Sequence, residues 1–361
     1  EIDIPDENPA LHFLVQSMKL LKAGGILSMI QPSGPLLYQK DLKFKEDVFS
    51  TYNLLQVIDF TKLADKLWGK KNVSTAAVFL QKSRPDSEPV LHLIANRTFS
   101  NANKLFLEFD YYDFHFMSKN DAIFKPYTWK AHLLGGGRIT SLIERLSTLP
   151  TLKEFLKEKE RKEGWCVGIG YIIGDKSNKA DFITGKETIP VEALTENGID
   201  EKQIHECLIQ RFERPRKTKK KIYEGPHILI RVITGNQGIP IAYSEKYLTF
   251  PFGIIGIHAP QDDKSELSAL YDYLRENNSL LRSYILATSG RAMIGKATSI
   301  NKDDIMRIPY SHNKNDIIFS EAEKIIIEEI ADKRKTEEIA VLNADITKFA
   351  SVFCKTLNSV Y

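Results

Sequence analysis

Hydrophobic residues near the N-terminus recur at helical spacing. Asn8 can cap a helix and Pro9 suits its first position, so the pattern predicts a helix that begins there and stops at Gly24-Gly25. Its apolar face consists of Leu11, Leu14, Val15, Met18 and Leu21. The chain is therefore expected to open with one amphipathic helix packed on a core.

Short apolar runs follow this helix and indicate a layered sheet. Three strands and one helix are predicted, with a fourth strand possible at Val90 to Ile94. They are the buried strand Ile26 to Ile30, the helix Lys43 to Tyr52, and the strands Leu54 to Phe60 and Val73 to Leu80. A helix between two strands implies a right-handed parallel crossover, whereas the short connection before the third strand predicts an antiparallel return beside the second. The loops after Ile30 and Phe60 should then share the carboxyl edge, where open α/β sheets bind ligands.

The second half changes character. The stretch from Leu105 to Trp129 is aromatic and irregular and is interpreted as a linker, and a charged helix is predicted from Thr151 to Lys162. Short β-like segments follow, together with a hairpin loop at Gly235-Asn236-Gln237-Gly238 and a helix from Leu267 to Leu286. The segments are Trp165 to Ile173, Pro226 to Ile233, Ile239 to Tyr243 and Phe250 to Ile257.

The C-terminal stretch is predicted to be helical. No proline or glycine follows Pro309, and Ser320 with Glu323 forms a capping-box pattern. An apolar stripe at heptad spacing can pack on its own domain or serve as a docking face for a partner, the first being favoured over so few heptads. Its members are Ile339, Leu342, Ile346, Phe349 and Phe353.

Composition narrows the possible functions only slightly. The 361 residues hold 50 Lys+Arg against 47 Asp+Glu, a net charge of +3, so total charge does not indicate a nucleic-acid partner. No signal peptide and no apolar stretch long enough for a membrane helix is present, so a cytoplasmic protein without membrane contact is expected. Cys166, Cys207 and Cys354 and the 8 histidines show no metal-ligand spacing, and no metal is predicted. The acidic start at Glu1, without Met, suggests a piece of something longer.

Four motifs of the first half, in this order, resemble the gamma-type amino-group methyltransferases of bacterial restriction-modification systems. The resemblance covers residues 8 to about 82 and matches the part of those enzymes that follows their catalytic tetrapeptide. The motifs are Leu20-Leu21-Lys22-Ala23-Gly24-Gly25, Ile26-Leu27-Ser28-Met29-Ile30-Gln31-Pro32-Ser33-Gly34, Val57-Ile58-Asp59-Phe60 and Leu67-Trp68-Gly69-Lys70-Lys71-Asn72-Val73-Ser74-Thr75-Ala76-Ala77-Val78.

The resemblance implies a pocket for an adenine swung out of the duplex. An aromatic residue at the position of Trp68 stacks on that base in the family, where phenylalanine is usual, and stacking offsets part of the cost of extrusion. Ser33 and Asn72 are further candidates for the pocket. The alternatives are that Trp68 fills a gap between loop and sheet and that the two polar residues form turns.

Two motifs of the family are missing. The aromatic-x-Gly-x-Gly turn that holds S-adenosylmethionine and the Asn/Asp-Pro-Pro-aromatic tetrapeptide do not occur, and Asn8-Pro9-Ala10-Leu11 is better explained as a helix cap. Gly135-Gly136-Gly137 before a helix can hold a phosphate but is better explained as a hinge. The chain alone is therefore expected neither to bind the methyl donor nor to catalyse methyl transfer.

A basic run in the second half suggests contact with double-stranded DNA. Residues 211–221 carry seven cations and one acid, which suits a phosphate backbone, although a flexible solvated loop is the alternative. The cations are Arg211, Arg214, Arg216, Lys217, Lys219, Lys220 and Lys221. The surrounding sequence resembles the target-recognition domain of single-chain restriction-modification enzymes, in which Asn236 and Gln237 would pair with adenine edges and Arg291 or Lys296 with guanine or phosphate.

The predicted fold is α/β: the C-terminal half of a Rossmann-like methyltransferase sheet, a β-rich α+β target-recognition domain, and C-terminal helices. The boundaries are residues 1–115 for the half-sheet, 116–162 for a linker and helices, 163–317 for DNA recognition and 318–361 for the C-terminal helices. The leading hypothesis is a fragment of an adenine methyltransferase whose partner is the missing N-terminal half. The alternatives are a non-catalytic DNA-specificity module docking with a separate methyltransferase or restriction subunit and, third, an α/β enzyme acting on a small substrate.

Overall fold

The computed structural model describes residues 2–38, 42–68, 73–95, 109–174, 178–235, 238–294, 300–311, 320–328 and 330, with side chains at 42, 65 and 66 excepted. The chain divides into two compact units of mixed α/β structure. The first comprises the described residues of 1–144, 287–297 and 320–361, and the second those of 145–286 and 298–319. The division falls inside the segment 116–162, for which a linker and helices were predicted. The apolar C-terminal stripe lies outside the described residues.

The first unit contains a sheet of five strands in the order β1-β3-β2-β4-β5. The strands are β1 (Ile26–Pro32), β2 (Asn53–Asp59), β3 (Thr75–Gln81), β4 (Val90–Ile94) and β5 (Phe114–Met117). Strand β3 is antiparallel to both β1 and β2, so β1 and β2 run in the same direction, and β4 is parallel to β2. The predicted antiparallel return beside β2 is confirmed. Its insertion between β1 and β2 was not predicted.

The helices of this part of the chain are α1 (Pro9–Leu20), α2 (Leu42–Thr51), α3 (Ala64–Trp68), α4 (Lys119–Phe124), α5 (Pro126–Leu133) and α6 (Arg138–Ser147). Helices α1, α2, α4 and α5 contribute buried side chains to the core of the first unit, and the boundary between the units falls within α6. Asn8 caps α1 as predicted, because its Oδ1 accepts the Ala10 amide at 3.0 Å. Helices α4 and α5 lie in the region interpreted as a linker, yet Trp129 of α5 is fully buried in the core of this unit.

Strand β1 is not the buried strand that its apolar run suggested. It is an edge strand whose side chains alternate in exposure, with Ile26 57% and Ile30 56% exposed. The prediction rested on the rule that an uninterrupted apolar run is typical of a strand buried on both faces. It was wrong because β1 lies at the edge of the sheet. Here β3 is its one hydrogen-bonded neighbour among the described strands.

The second unit is built around an antiparallel sheet in the order β12-β11-β13-β6. Its strands are β6 (Cys166–Ile169), β11 (His227–Arg231), β12 (Ile241–Ser244) and β13 (Ile254–His258). Two-residue strands form two small ribbons beside it: β7 (Glu187–Thr188) with β10 (His205–Glu206), and β8 (Leu194–Thr195) with β9 (Gly198–Ile199). The predicted β-rich character and the hairpin between β11 and β12 are confirmed.

Helices of the second unit are α7 (Leu152–Lys162), α8 (Lys264–Glu276), α9 (Asn278–Thr288) and α10 (Lys302–Met306). The single helix predicted from Leu267 to Leu286 is wrong, because the chain breaks at Asn277. There the Asn277 side chain donates to the Tyr273 carbonyl at 2.9 Å. Such a local side-chain bond offers the backbone an alternative to continuing the helix.

Candidate functional site

Two loops of the first unit meet at one edge of its sheet. Because β1 and β2 run in the same direction, Ser33 after β1 and Thr61 after β2 emerge together, and their hydroxyl oxygens are 2.8 Å apart. The start of β3 joins the same edge, where the Ser33 amide donates to the Ser74 carbonyl and the Phe60 amide to the Thr75 carbonyl. The expectation that both loops share the carboxyl edge is confirmed.

Trp68 lies at this edge with part of its ring accessible. It ends a short helical segment that starts as a 3-10 turn at Thr61 and continues into α3. Its indole Nε1 donates to Thr75 Oγ1 at 3.0 Å, and the side chain is 43% exposed. The indole is thus held by its nitrogen while ring surface faces outward, unlike an aromatic residue filling a gap in a core.

The other two pocket candidates differ from Trp68. Ser33 is fully buried and its hydroxyl is already joined to Thr61, so it ties the loops together from inside. Asn72 lies outside the described residues. Two side chains that the sequence did not single out, Gln31 and Ser74, are buried at the same edge. Gln31 Oε1 and Ser74 Oγ have no hydrogen-bond partner in the described part of the chain, which is uncommon for buried polar atoms.

A buried polar network lies beneath the edge and was also missed. The Asp59 carboxylate at the end of β2 accepts hydrogen bonds from the Tyr38 hydroxyl and, at 2.8 Å, from the Thr61 amide. His92 of β4 places Nε2 at 3.5 Å from Asp59 Oδ2, and its Nδ1 is 3.2 Å from His132 Nδ1. The only sequence signal was a single acidic residue within the apolar run Val57-Ile58-Asp59-Phe60.

Burial and hydrogen bonding act in opposite directions on Asp59. Burial raises the pKa of its carboxyl, but the contacts with His92, Thr61 and Tyr38 outweigh that effect, and the net pKa is lowered. Burial, the neighbouring Asp59 charge and the hydrogen bond to it raise the pKa of Tyr38 well above its usual value. The pair is therefore a carboxylate bound to a neutral phenol.

A neutral histidine continues the network. Burial, assisted by His92 and His115, lowers the pKa of His132 to about 2. The His115 ring stacks on His132 with centroids 4.5 Å apart. The three-glycine turn packs here, since a Cβ on Gly136, whose φ is +66°, would lie 2.9 Å from His115 Nδ1. That contact explains a glycine at position 136 without any bound phosphate.

The predicted basic run of the second unit forms an ordered surface segment. Residues Lys217–Tyr223 form a 3-10 helix that ends in the fully buried side chains of Ile222 and Tyr223. Before it, Arg216 adopts a left-handed backbone and its Nε donates to the Gly170 carbonyl at 3.2 Å. The segment is thus anchored before its first residue by Arg216 and at its end by Ile222 and Tyr223.

Three lysines of this segment are available for a ligand. Lys217, Lys220 and Lys221 are exposed and form no ion pair within the described part of the chain. The other cations are partly used, as Lys219 lies 2.5 Å from Glu160 and Arg214 lies 3.9 Å from Glu213. Arg211 is exposed just before the segment.

The remaining predicted DNA contacts are less well placed. Asn236, Gln237 and Lys296 lie outside the described residues, and Arg291 is exposed but belongs to the first unit. The loop predicted to carry Asn236 and Gln237 is held at its base by α9. Arg282 Nε donates to the Thr234 and Gly235 carbonyls at 3.2 and 3.3 Å, and Asn278 exchanges two hydrogen bonds with the Ile239 backbone.

In the second unit, carboxylate oxygens of Glu163, Asp263 and Glu266 lie close enough to one another to hold a metal ion. These carboxylates already have partners. Lys159 Nζ lies 2.5 Å from both Glu163 and Glu266, and the Trp165 indole donates to Asp263 at 2.8 Å. A lysine ammonium thus occupies the position between the two glutamates.

Comparison with known proteins finds distant structural likeness only. No protein-family model and no curated protein matches the chain. A cryo-EM structure of a DrdV–DNA complex aligns with a TM-score of 0.37 and 11% identity over 90% of this chain and 38% of that chain. The type IIG restriction endonuclease BpuSI aligns with a TM-score of 0.32 and 11% identity over 90% of this chain and 44% of that chain. A structure of a type I restriction-modification system aligns with a TM-score of 0.23 and 22% identity over 28% of this chain and 21% of that chain. This chain spans less than half the length of each of these proteins, and such TM-scores identify neither a family nor a function.

Within the described ranges, no helix combines the length and apolar character needed to cross a bilayer.

The neutral state of His132 predicts that stability falls in mild acid. The unfolded chain takes up a proton at this histidine below about pH 6.5, whereas the folded chain does not until about pH 2. Folding should therefore lose up to about 1.4 kcal/mol per pH unit between these limits. Urea denaturation at several pH values measures how the free energy of unfolding changes with pH. His132→Asn removes one proton-binding group and should therefore reduce this dependence by about 1.4 kcal/mol per pH unit. His205→Asn, at an exposed site, is the control; an unchanged slope in His132→Asn would contradict the assignment.

Proposed function

We propose that this chain is part of an adenine-specific DNA methyltransferase of a restriction-modification system. It contributes the pocket for an extruded adenine and the surface that recognises double-stranded DNA. The observation that carries the proposal is the half-exposed indole of Trp68, fixed by Thr75 at the edge where β1 and β2 end. Residues outside this chain supply the methyl donor site and the catalytic tetrapeptide.

The chemistry of adenine methylation requires such a pocket. The exocyclic amine of a stacked, paired adenine cannot reach a methyl donor, so the base must leave the duplex. An aromatic face held in place offsets part of that cost, because stacking a base on an aromatic side chain contributes about 1–3 kcal/mol. The unpartnered Gln31 Oε1 and Ser74 Oγ give the same edge two polar atoms that a base edge can satisfy.

We do not assign S-adenosylmethionine to the glycine turns of this unit. Gly24 and Gly25 precede β1 and lie at the edge opposite Ser33, and Gly136 packs against His115. The chain's own part in the reaction is thus to bind and orient adenine.

The edge position of β1 supports the proposal that another part of the enzyme completes this sheet. An open strand edge is a template for another strand, and large exposed apolar side chains mark interfaces. Ile26 and Ile30 of this strand are exposed on the face of the sheet opposite the one where Leu27 and Met29 pack against the core. We assign this surface to the half of the enzyme that holds the methyl donor.

DNA recognition is assigned to the second unit. Phosphate contacts set the register of a protein on a duplex. Lys217, Lys220 and Lys221 are exposed on one anchored segment and have no ion-pair partner among the residues that the structure describes. A ligand with a regular array of phosphates fits such a segment better than a small anion does.

Replacing Trp68 tests the pocket. A duplex with one adenine opposite an abasic site lowers the cost of extrusion, so binding to it reports stacking. Trp68→Ala should weaken binding to this duplex by about 5- to 150-fold, from the stacking contribution, whereas Trp68→Phe should retain most of the affinity. Fluorescence anisotropy measures both. A duplex abasic on both strands is the control, and equal affinities of Trp68→Ala and the unchanged protein for the unpaired adenine would refute the pocket.

Replacing the three free lysines tests the DNA surface. Each phosphate contact contributes about 0.9 to the slope of log affinity against log salt. Changing Lys217, Lys220 and Lys221 together to alanine should therefore reduce the slope on a random-sequence duplex by about 2.7. The matched control changes the exposed Lys179, Lys186 and Lys202 of the same unit. Equal slopes for the two triple variants would exclude this segment as the phosphate contact.

A further inference from the structure

Asp59 links three parts of the chain that meet below the candidate pocket. Its carboxylate is fully buried and faces the Tyr38 hydroxyl, the Thr61 amide and His92 Nε2. Tyr38 ends the π-helical turn after β1, Thr61 starts the segment after β2, and His92 lies on β4. No other described carboxylate of this unit is fully buried.

We propose that Asp59 is a positioning residue that fixes the segment carrying Trp68 and thereby sets the orientation of the indole. The inference rests on the proposed function for the role of Trp68, but the geometry that it concerns belongs to this chain alone. Asp59 is enclosed and cannot touch a substrate, so it acts through its neighbours.

The connection from Asp59 to Trp68 is short. Asp59 Oδ1 accepts the amide of Thr61, the first residue of the 3-10 turn that continues into α3 and ends at Trp68. The Phe60 amide, one residue after Asp59, donates to the carbonyl of Thr75, whose hydroxyl receives the indole N–H. The first residue of the segment, Thr61, is therefore fixed by Asp59 itself. The last residue, Trp68, is fixed by Thr75 of β3, the strand that pairs with β2.

The same carboxylate secures the other loop of the edge. Tyr38 donates to Asp59 from the turn after β1, and Lys45 Nζ donates to the Leu37 carbonyl of that turn at 2.5 Å. Thr61 in turn is joined to Ser33. Loss of the Asp59 charge should therefore loosen both loops of the edge together.

A buried charge is costly unless its acceptor positions are filled, so this arrangement has one favoured geometry. An asparagine at position 59 keeps the shape and one acceptor but replaces the other by an amide that donates. That amide would face the Tyr38 hydroxyl, which donates to the Asp59 carboxylate in the native chain, and the ring nitrogen Nε2 of His92. The substitution thus removes the charge that holds Tyr38, Thr61 and His92 around one carboxylate, with little change in volume, while one oxygen can still accept the Thr61 amide.

The experiment uses the full chain labelled with 5-fluorotryptophan, whose three indoles give separate ¹⁹F signals. Asp59→Asn should shift or broaden the Trp68 signal, assigned with Trp68→Phe, and leave the signal of Trp165 in the second unit unchanged. Asp86→Asn is the matched control, since Asp86 binds Asn53 at 2.7 Å in the same unit away from the edge. If Asp59→Asn does not fold, Tyr38→Phe removes one hydrogen bond to Asp59 and should give a smaller shift of the same signal.

DNA binding separates a positioning role from general stability. Binding of the duplex with one unpaired adenine should fall at least fivefold in Asp59→Asn, and the substitution should have no further effect in a Trp68→Ala background, because both act through one indole. Additive effects, or a Trp68 signal identical to that of the unchanged protein, would overturn the inference. A shifted signal with no effect of either substitution on DNA binding would instead leave the positioning role standing and refute the proposed function.

Discussion

The candidate pocket depends on one strand pairing, the insertion of β3 antiparallel between β1 and β2. This arrangement sends β1 and β2 in the same direction and brings the start of β3 to the edge where both of them end. Ser33, Thr61, Ser74 and Thr75 consequently converge on one edge. Ser33 bonds to both Thr61 and Ser74 there, and the Thr75 carbonyl accepts the Phe60 amide. Trp68 attaches to this framework through a single hydrogen bond. Without β3 in that position, the loops after β1 and β2 would share a direction but no common partner.

The first unit of the fold was largely predictable from local pattern. Caps, glycine stops and apolar runs located α1, α2 and β1 to β4 within a few residues, because these signals act over short distances. The edge position of β1 and the insertion of β3 were not predictable, since they depend on which strands pair across long sequence separations. The break between α8 and α9 was missed for a similar reason, as it depends on what the side chains of Asn277 and Asn278 bind.

The candidate site was only partly predictable. Trp68 was found through a motif in a loop, whereas Asp59, Tyr38 and His92 come from three separate elements and are recognisable as a network only once folded. Gln31 and Ser74 carry no sequence signal, because burial without a partner is a property of the tertiary structure. In the basic run, the amount of charge was predictable from the sequence, but the pairing of the individual side chains was not. In the folded chain, Lys219 pairs with Glu160, whereas Lys217, Lys220 and Lys221 form no ion pair among the described residues.

The most direct test of the account is to identify which residues touch DNA. A randomised duplex pool, enriched for binding to this chain and carrying photoreactive 5-iododeoxyuridine, can be cross-linked by ultraviolet light and the attached peptides identified by mass spectrometry. The account predicts cross-links in residues 61–68, around Trp68, and in residues 217–221. Cross-links confined to other surfaces, or to residues 217–221 alone, would contradict the claim that this chain offers a base pocket as well as a DNA-binding surface.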